Sequence, residues 1–184
     1  MTTIIGIQSA TKAIFGSDSL IAGEGRNYFH PDTVKIVEKN GYLVACAGDL
    51  RALQIVLHAW NPPSFNRTAV NLRFIVTKVI PSLKAIFLEH GLDFTKTGDD
   101  RVTIEILLAL RGEVFEIDRE FSVTRDSKGF YGIGSGGDYA LSALHAGATA
   151  QRALEIAEDL NNGTRRPFLF IEQLKQPTTK GNKK

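Results

Sequence analysis

The sequence predicts an α+β protein whose β-sheets lie inside and whose helices lie outside. Strand-like runs joined by short turns occupy residues 3–17 and 34–47, whereas apolar residues recur at helical spacing over residues 50–60 and 66–90. The run from Ile104 to Leu110 is nearly all apolar, which indicates a strand covered on both faces. Because such a strand needs cover on both sides, we expect helices to pack outside the sheets.

The chain begins with an expected hairpin. Strands over residues 3–9 and 12–17 are separated only by residues 10–11, a spacing typical of a tight turn. A polar segment containing glycine follows over residues 22–33, and Pro31 excludes a central strand there. We expect a long loop over that segment, of the kind that often lines a functional site.

A second hairpin is expected over residues 34–47. Its turn contains Asn40-Gly41, which supplies the positive φ angles that a short hairpin turn requires. Lys35 alternates with its apolar neighbours, so alternation alone places it on the solvent side. Cys46 lies in an apolar run with nothing nearby to lower its pKa, which predicts a core residue or a pocket wall rather than a nucleophile.

Two helical segments follow the second hairpin. Asp49 is a candidate cap for the first, which carries an apolar stripe as far as Trp60 and ends before two prolines. The second is expected from about Asn66 to His90, with a kink at Pro81. Together they predict a helical layer that follows the first strands in the sequence and precedes a new block of strands.

The second half of the chain begins after a polar connection over residues 95–100. The expected elements are strands 101–110, 113–118 and 120–124, helices 139–147 and 149–161, and a final strand 168–174. Residues 1–175 are expected to form a single domain, and residues 176–184 a flexible basic tail.

Composition excludes several classes of protein. Hydrophobic residues make up 43% of the chain and charged residues 23%, which is typical of globular proteins rather than disordered ones. The net charge of +2 and the scattered basic residues predict no nucleic-acid partner. No apolar run approaches the roughly 20 residues of a membrane span. We therefore expect no membrane binding. The single cysteine allows no intrachain disulfide, which favours a reducing compartment, so we expect a cytoplasmic protein.

Sequence patterns of several other catalytic sites are absent or incomplete. The glycine-dense turn from Gly132 to Gly137 lacks the βαβ context and the acidic residue of a dinucleotide site. The histidines show no metal-site spacing, and neither a Gly-x-Ser-x-Gly elbow nor a Walker lysine occurs. Two readings of the glycine turn stay open: a tight structural turn, or a turn that presents backbone amides and the Ser135 hydroxyl to a ligand.

Thr2 is a candidate nucleophile because it is the second residue of the sequence and a strand that would hold it rigidly begins directly after it. If an aminopeptidase removes Met1, Thr2 carries a hydroxyl and a free α-amine on adjacent carbons. The α-amine has a reference pKa of about 7.7–8.0, so near neutral pH part of it is unprotonated and able to take the hydroxyl proton. The competing interpretation is that the sequence begins with Met-Thr and that this threonine has no catalytic role.

Five short features occur in one order along nearly the whole chain. They are Thr2-Thr3 at the first strand, Ser17-Asp18 after the second, Lys35 before Ile36-Val37, Ala47-Gly48 before a helix, and Gly134-Ser135-Gly136-Gly137 before another. In this arrangement the sequence resembles the proteasome β-subunits and the bacterial HslV-type peptidases, which are N-terminal nucleophile (Ntn) hydrolases. The resemblance implies a four-layer αββα sandwich of two mainly antiparallel sheets flanked by helices, and the activity of a threonine endopeptidase.

The resemblance also implies a role for each of these residues. Thr2 would be the nucleophile, Lys35 would lower the pKa of its hydroxyl, and Asp18 would hold Lys35 in place. Gly48 would donate its backbone N–H to the developing oxyanion. The pocket for the substrate side chain would be bordered by three residues of the preceding strand, Cys46, Ala47 and Gly48.

Further implied residues lie late in the chain. Ser135 would hydrogen-bond near the Thr2 amine, and Asp159 would orient both, because residues 159–163 resemble the family's Asp-x-x-Ser-Gly with Asn162 in place of serine. No organic cofactor is required. A structural monovalent cation such as Na⁺ would be held by backbone groups of this loop, at Glu158, Asn161 and Thr164.

The expected substrate is a peptide or an unfolded protein. The resemblance implies a homo-oligomeric ring that encloses its active sites, and an ATP-dependent unfoldase that feeds it. Two alternatives stay open: an Ntn amidohydrolase acting on a small amide, and a catalytically silent, structural proteasome-like subunit. Intact Thr2, Asp18, Lys35 and Ser135 argue against the silent subunit.

Overall fold

The N-terminal hairpin lies at the centre of the first of two facing antiparallel sheets. The structure is a computed structural model, and it describes residues 2–23, 26–28, 34–66, 70–93 and 103–175. The first sheet has the order β10-β1-β2-β11, with β1 (Ile4–Gln8), β2 (Lys12–Ser17), β10 (Phe130–Ile133) and β11 (Leu169–Leu174). Since β1 pairs with both β2 and β10, Thr2 lies at the end of a strand that is held on both sides.

The second hairpin begins the other sheet. This sheet has the order β5-β6-β7-β8-β9, with β5 (Ile36–Lys39), β6 (Tyr42–Gly48), β7 (Ile104–Leu110), β8 (Glu113–Ile117) and β9 (Val123–Thr124). Asn40 and Gly41 form its first turn with φ values of 50° and 80°, which confirms the predicted turn. All its neighbouring strands are antiparallel.

Helices cover the outer face of each sheet. Helix α1 (Leu50–Gln54) continues as a π-helical turn (Ile55–Ala59), and α2 (Leu72–Phe74) continues through a second π-helical turn (Ile75–Val79) into α3 (Ile80–Glu89). The other helical layer contains α4 (Gly137–His145) and α5 (Ala150–Leu160). As the sequence predicts, the Asp49 carboxylate caps α1 by accepting from the Ala52 N–H at 3.0 Å.

Three apolar layers fill the spaces between these elements. One packs α1–α3 against the five-stranded sheet, one lies between the two sheets, and one packs α4 and α5 against the four-stranded sheet. Strand β7 is buried along almost its whole length, which confirms the expectation that it is covered on both faces. The predicted four-layer αββα sandwich is therefore confirmed.

Two predicted elements differ from the structure. The expected loop over residues 22–33 contains a small hairpin instead, in which β3 (Ile21–Gly23) pairs with β4 (Arg26–Tyr28). Strands of three residues are too short for alternation to reveal them. The helix expected from Asn66 begins at Leu72, because the Asn71 side chain accepts from the Phe74 N–H at 2.9 Å and caps it there.

Two predicted segments, the polar connection over residues 95–100 and the basic tail over residues 176–184, lie outside the described residues. Pro81 lies in the first turn of α3, directly behind a π-helical turn. Among the helices that the structure describes, none is long and apolar enough to cross a membrane.

Candidate active site

Thr2 is held between strand β1 and the glycine turn that precedes α4. Its N–H donates to Ser135 Oγ at 3.3 Å, and its carbonyl oxygen accepts from the Gly136 N–H at 3.3 Å. Thr2 is 6% exposed and lines a cleft of about 390 Å³. The first and the last third of the chain therefore meet at this residue, as the resemblance implies for Thr2 and Ser135.

The neighbouring Thr3 points away from the cleft. Its side chain is fully buried, and its hydroxyl lies 2.5 Å from Thr164 Oγ1. Successive residues of an extended strand face opposite sides, so only one of the two threonines can line the cleft. The structure thus distinguishes Thr2 from Thr3 as the candidate nucleophile.

Asp18 and Lys35 form a buried ion pair beside the start of β1. Lys35 Nζ lies 2.6 Å from Asp18 Oδ1, and the two side chains are 1% and 0% exposed. The same carboxylate oxygen accepts from the Thr3 N–H at 2.8 Å, so the ammonium group lies next to the residue that follows Thr2. The solvent-facing position that alternation predicts for Lys35 is wrong, because Lys35 precedes strand β5 and its side chain is buried against Asp18.

The ion pair is supported by the backbone and changes the acidity of the lysine. Asp18 Oδ2 accepts from the Leu20 N–H at 3.0 Å and the Arg165 N–H at 3.3 Å. Burial lowers the pKa of Lys35 below the usual value for a lysine, while the charge of Asp18 and its hydrogen bond oppose that shift. Lys35 is therefore a cation held in a fixed position, and it loses its charge at a lower pH than an ordinary lysine does.

Gly48 lies in the cleft at the end of β6, next to Ala47. Its φ of 116° lies in the region that favours glycine. A Cβ atom at this position would lie 2.3 Å from the Thr103 carbonyl oxygen. The backbone can follow this path beside the cleft only with glycine, and Ala47 and Gly48 lie where the resemblance implies a substrate pocket.

Gly48→Ala is expected to lower the free energy of unfolding by about 3 kcal/mol, since left-handed strain alone costs roughly 1–3 kcal/mol and the clash with Thr103 adds to it. Gly147→Ala is the matched control, because Gly147 has a φ of 93° but nothing within 4 Å of its added Cβ. Urea unfolding of both variants measures the difference. Equal losses would show that the Thr103 contact carries no cost.

Glu105 is a cleft residue that the sequence analysis does not identify. Its Oε2 accepts from the Gly134 N–H at 2.9 Å, and its Oε1 forms an ion pair with Arg119 at 3.0 Å. This carboxylate joins β7 to the glycine turn of the other sheet. A signal for it exists in the sequence, because Glu105 is the one charged residue in the otherwise apolar strand β7.

Cys46 does not border the cleft, which corrects the expectation that it lines the substrate pocket. It is fully buried in the layer between the five-stranded sheet and α1–α3, with Val44 and Ala52 in the same layer. Burial raises the pKa of its thiol. Cys46 alternates along β6 with Ala47, which lies on the side between the sheets.

Asp159 is not brought to the candidate site. It lies exposed near the end of α5, and among the described residues no hydrogen bond joins it to Thr2 or Ser135. Asn161 holds this position instead, since its Nδ2 donates to the Ser135 carbonyl oxygen at 2.8 Å and its Oδ1 lies 3.4 Å from Ser135 Oγ. The helix continues through Asp159 to Leu160, so the functional loop begins two residues later than the motif suggests.

The cation that the resemblance implies at the loop after α5 stays a prediction, and the side chains of this loop have partners within the protein. The Glu158 carboxylate binds Arg166, with Oε2 at 2.7 Å from the guanidinium, and the Thr164 carbonyl oxygen accepts from Arg165 at 2.9 Å. Within residues 2–175, where described, no group of three or more His, Cys, Asp and Glu side chains could hold a metal.

Comparison with known proteins identifies the fold. No protein-family model and no curated protein sequence matches this chain. BPH from Thiobacillus denitrificans, solved in complex with epoxomicin, is 20% identical, with a TM-score of 0.77 over 95% of this chain and 100% of that chain. Eukaryotic HslV from Trypanosoma brucei is 19% identical, with a TM-score of 0.64 over 94% of this chain and 99% of that chain.

Anbu from Yersinia bercovieri, whose name stands for ancestral beta-subunit, has a similar structure. It is 14% identical, with a TM-score of 0.67 over 94% of this chain and 81% of that chain. These likenesses extend over nearly the whole chain at low identity. The resemblance to proteasome-like Ntn hydrolases is therefore confirmed at the level of the fold.

Proposed function

We propose that this protein is the threonine endopeptidase subunit of a proteasome-like protease, with Thr2 as its N-terminal nucleophile after removal of Met1. The observation that carries the proposal is the position of the Thr2 nitrogen, 3.3 Å from Ser135 Oγ at the edge of an open cleft. The buried Lys35–Asp18 pair beside the next residue supports it.

The proposed reaction uses the two groups of Thr2 together. The unprotonated α-amine takes the hydroxyl proton, directly or through water, as the Thr2 oxygen attacks the scissile carbonyl. The C–N bond of the substrate then breaks, the α-amine returns the proton to the leaving amine, and an ester remains on Thr2. Water hydrolyses that ester by the same proton transfers and releases the acid product.

Fixed charges and dipoles would stabilise this reaction. The Lys35 ammonium favours the oxyanion form of the Thr2 hydroxyl, and Asp18 fixes the lysine. The Gly48 N–H is the proposed donor to the tetrahedral oxyanion, a contribution worth about 3–4 kcal/mol in other peptidases. Ser135 would keep the Thr2 amine in the position where it can take the proton of the Thr2 hydroxyl.

The proposed substrate is a peptide or an unfolded protein. The similarity in fold to HslV and to Anbu supports a homo-oligomeric ring. The proposal also includes a cytoplasmic location and an ATP-dependent unfoldase that feeds the ring. BPH is solved with epoxomicin bound, so epoxomicin is a suitable probe for this cleft.

Intact mass, light scattering and hydrolysis of fluorogenic peptides test the proposal together. We expect a mass lower by one methionine residue, an assembly larger than a dimer, and peptide hydrolysis that epoxomicin inhibits. Retention of Met1 in an active protein would contradict the proposal. A monomer or dimer that cleaves only small amides would indicate the amidohydrolase alternative, and an inert ring would indicate the silent subunit.

The pH profile of kcat/KM is expected to be bell-shaped. The value of kcat/KM rises with pH as the Thr2 α-amine loses its proton, since the reference pKa of an α-amine is about 8. It falls at alkaline pH because burial lowers the pKa of Lys35, so this ammonium loses its charge below the usual pH for a lysine. Stopped assays between pH 5 and pH 11 measure both limbs.

Lys35→Arg is expected to shift the alkaline limb of the pH profile to higher pH, because arginine keeps its charge throughout the pH range of the assay. Lys39→Arg is the matched control, since burial also lowers the pKa of Lys39 but this residue lies outside the cleft. An alkaline limb that moves in the control and not in Lys35→Arg would exclude Lys35 as its source.

A further inference from the structure

Glu105 and Arg119 form an ion pair at one side of the candidate cleft. Arg119 donates from Nε to Glu105 Oε1 at 3.0 Å, and its Nη2 lies 3.0 Å from the same oxygen. The other carboxylate oxygen, Oε2, accepts from the Gly134 N–H at 2.9 Å. Two nitrogens of the guanidinium are thus fixed to strand β7, through a carboxylate that is itself fixed to the glycine turn.

The Arg119 guanidinium keeps unused hydrogen-bond donors. A guanidinium carries more N–H groups than one carboxylate oxygen can accept. Its third nitrogen, Nη1, has no hydrogen-bond partner within the part of the chain that the structure describes. The Arg119 side chain is 58% exposed and lines the same cleft as Thr2. Arg119 therefore offers donors in a fixed position to a molecule that occupies the cleft.

The reaction proposed above indicates which half of a substrate meets Arg119. The Thr2 nitrogen lies 3.3 Å from Ser135 Oγ, and in that reaction the α-amine returns its proton to the leaving amine. The leaving half of the peptide, which follows the scissile bond, therefore lies toward the glycine turn. Glu105 binds the Gly134 N–H of that turn, and Arg119 lies beside Glu105. This part of the cleft is the leaving-group side, and it is bordered by Glu105, Arg119, Gly134 and Asp138.

The charges on the leaving-group side favour an uncharged acceptor over a carboxylate. Arg119 is already paired with Glu105, and a second carboxylate, that of Asp138, lines the cleft. Glu116 lies on the neighbouring strand β8, where burial and the charges of nearby carboxylates, Glu105 first, raise its pKa. An acidic substrate residue would therefore meet repulsion as well as attraction here. A main-chain carbonyl oxygen accepts from the guanidinium without that repulsion.

We propose that Arg119 is a specificity-determining residue that binds the leaving half of the substrate. The proposal rests on the proposed peptidase function. Nη1 donates to a main-chain carbonyl oxygen of the first residues after the scissile bond, while Glu105 keeps the guanidinium in place. The ligand is thus a peptide that continues beyond the scissile bond, and a substrate with a small leaving group lacks this contact.

Two substrates with the same sequence before the scissile bond test the proposal. One releases aminomethylcoumarin and has no peptide after that bond, whereas the other is an internally quenched peptide that continues with alanines. We expect Arg119→Met to lower the ratio of kcat/KM for the quenched peptide to kcat/KM for the coumarin substrate at least about fivefold, because hydrogen bonds from charged groups contribute effects of this size or larger. An unchanged ratio would overturn the proposal.

Arg152→Met is the matched control. Arg152 forms an ion pair with Glu155 in α5, in which the side chains are 57% and 26% exposed, against 58% and 24% for Arg119 and Glu105. The substitution removes the same charge outside the cleft, so the ratio is expected to stay at the wild-type value. An equal fall in both variants would show an effect of net charge and would overturn the proposal.

Arg119→Lys separates the hydrogen bond from the charge. A lysine keeps the positive charge but lacks the planar fork that binds Glu105 and a substrate oxygen together, so the ratio is expected to fall in this variant as well. A wild-type ratio in Arg119→Lys would show that charge alone suffices and would overturn the assigned hydrogen bond. Urea unfolding of each variant identifies any that fails to fold, and ratios are compared only among folded variants.

Quenched peptides with glutamate or lysine after the scissile bond distinguish the two sources of an oxygen acceptor. A main-chain carbonyl is present in every peptide, so Arg119→Met is expected to lower the ratio for the alanine, glutamate and lysine peptides alike. A fall confined to the glutamate peptide would overturn the proposal in favour of a side-chain carboxylate.

Binding of the alanine peptide to a Thr2→Ala protein supplies a readout that needs no hydrolysis. With a fluorescent label on the peptide, we expect Arg119→Met in this background to raise Kd at least about fivefold, and Arg152→Met to leave Kd unchanged. Equal affinities in the two backgrounds would overturn the proposal. A wild type that hydrolyses neither substrate would refute the proposed function alone, and binding would still decide the role of Arg119.

Discussion

Thr2→Ala is expected to lower peptide hydrolysis by more than about 10³-fold, since removal of the nucleophile in a peptidase costs several orders of magnitude in kcat. The fold is expected to persist, because Thr2 contacts Ser135 and Gly136 through its backbone. Alanine in the second position is also small enough for removal of Met1. Intact mass and fluorogenic peptide cleavage of the two proteins measure the effect.

Two further substitutions control this experiment. Thr2→Ser keeps a hydroxyl and an α-amine and is expected to retain measurable turnover. Thr3→Ala removes the hydroxyl that contacts Thr164 Oγ1, so it is expected to cost about 1–3 kcal/mol of stability while turnover persists. Hydrolysis by Thr2→Ala at the wild-type rate would end the threonine-peptidase hypothesis.

Lys35→Met is expected to abolish turnover and to lower the free energy of unfolding by about 3 kcal/mol. Removing one partner of a buried ion pair leaves the other charge uncompensated, which costs about 3–5 kcal/mol. The lower end applies here because Asp18 keeps backbone N–H donors from Thr3, Leu20 and Arg165. The protein therefore stays folded, and urea unfolding and peptide cleavage can be measured on the same sample.

Lys12→Met provides the matched control. Lys12 Nζ lies 2.6 Å from Glu172, the same distance as in the buried pair, but this pair is exposed and is expected to contribute less than about 1 kcal/mol. The double variant Lys35→Met/Asp18→Asn is expected to recover part of the lost stability but none of the turnover. Wild-type turnover in Lys35→Met would exclude its charge from the mechanism.

Local chemistry explains why so much of the fold could be predicted. The Asn40-Gly41 turn and the Asp49 cap each follow from residue type alone. The start of α2 could not be predicted in the same way, because the spacing of apolar residues sets no sharp helix boundary, whereas in the structure the Asn71 side chain caps the helix. Propensity thus predicted which elements form, and a local side-chain cap determined where one of them began.

The candidate site depended on the resemblance far more than on periodicity. Alternation alone exposes Lys35, whereas the resemblance places it beside Asp18, as the structure does. The resemblance fails for Asp159 and Cys46, where a helix end and a strand face decide the environment. The contact between Asn161 and Ser135 joins two loops, so its donor and acceptor pattern becomes visible only after folding.

The long separation between Thr2 and Ser135 has a consequence for the order of events during synthesis. These residues are 133 positions apart, and Asn161 lies later still. A growing chain presents its N-terminal threonine early, but Ser135, which orients it under the proposed mechanism, leaves the ribosome only after 133 further residues have been added. Under the proposed mechanism, a polypeptide that ends before Ser135 would be inert, so the topology itself delays hydrolysis until the two distant segments have folded together.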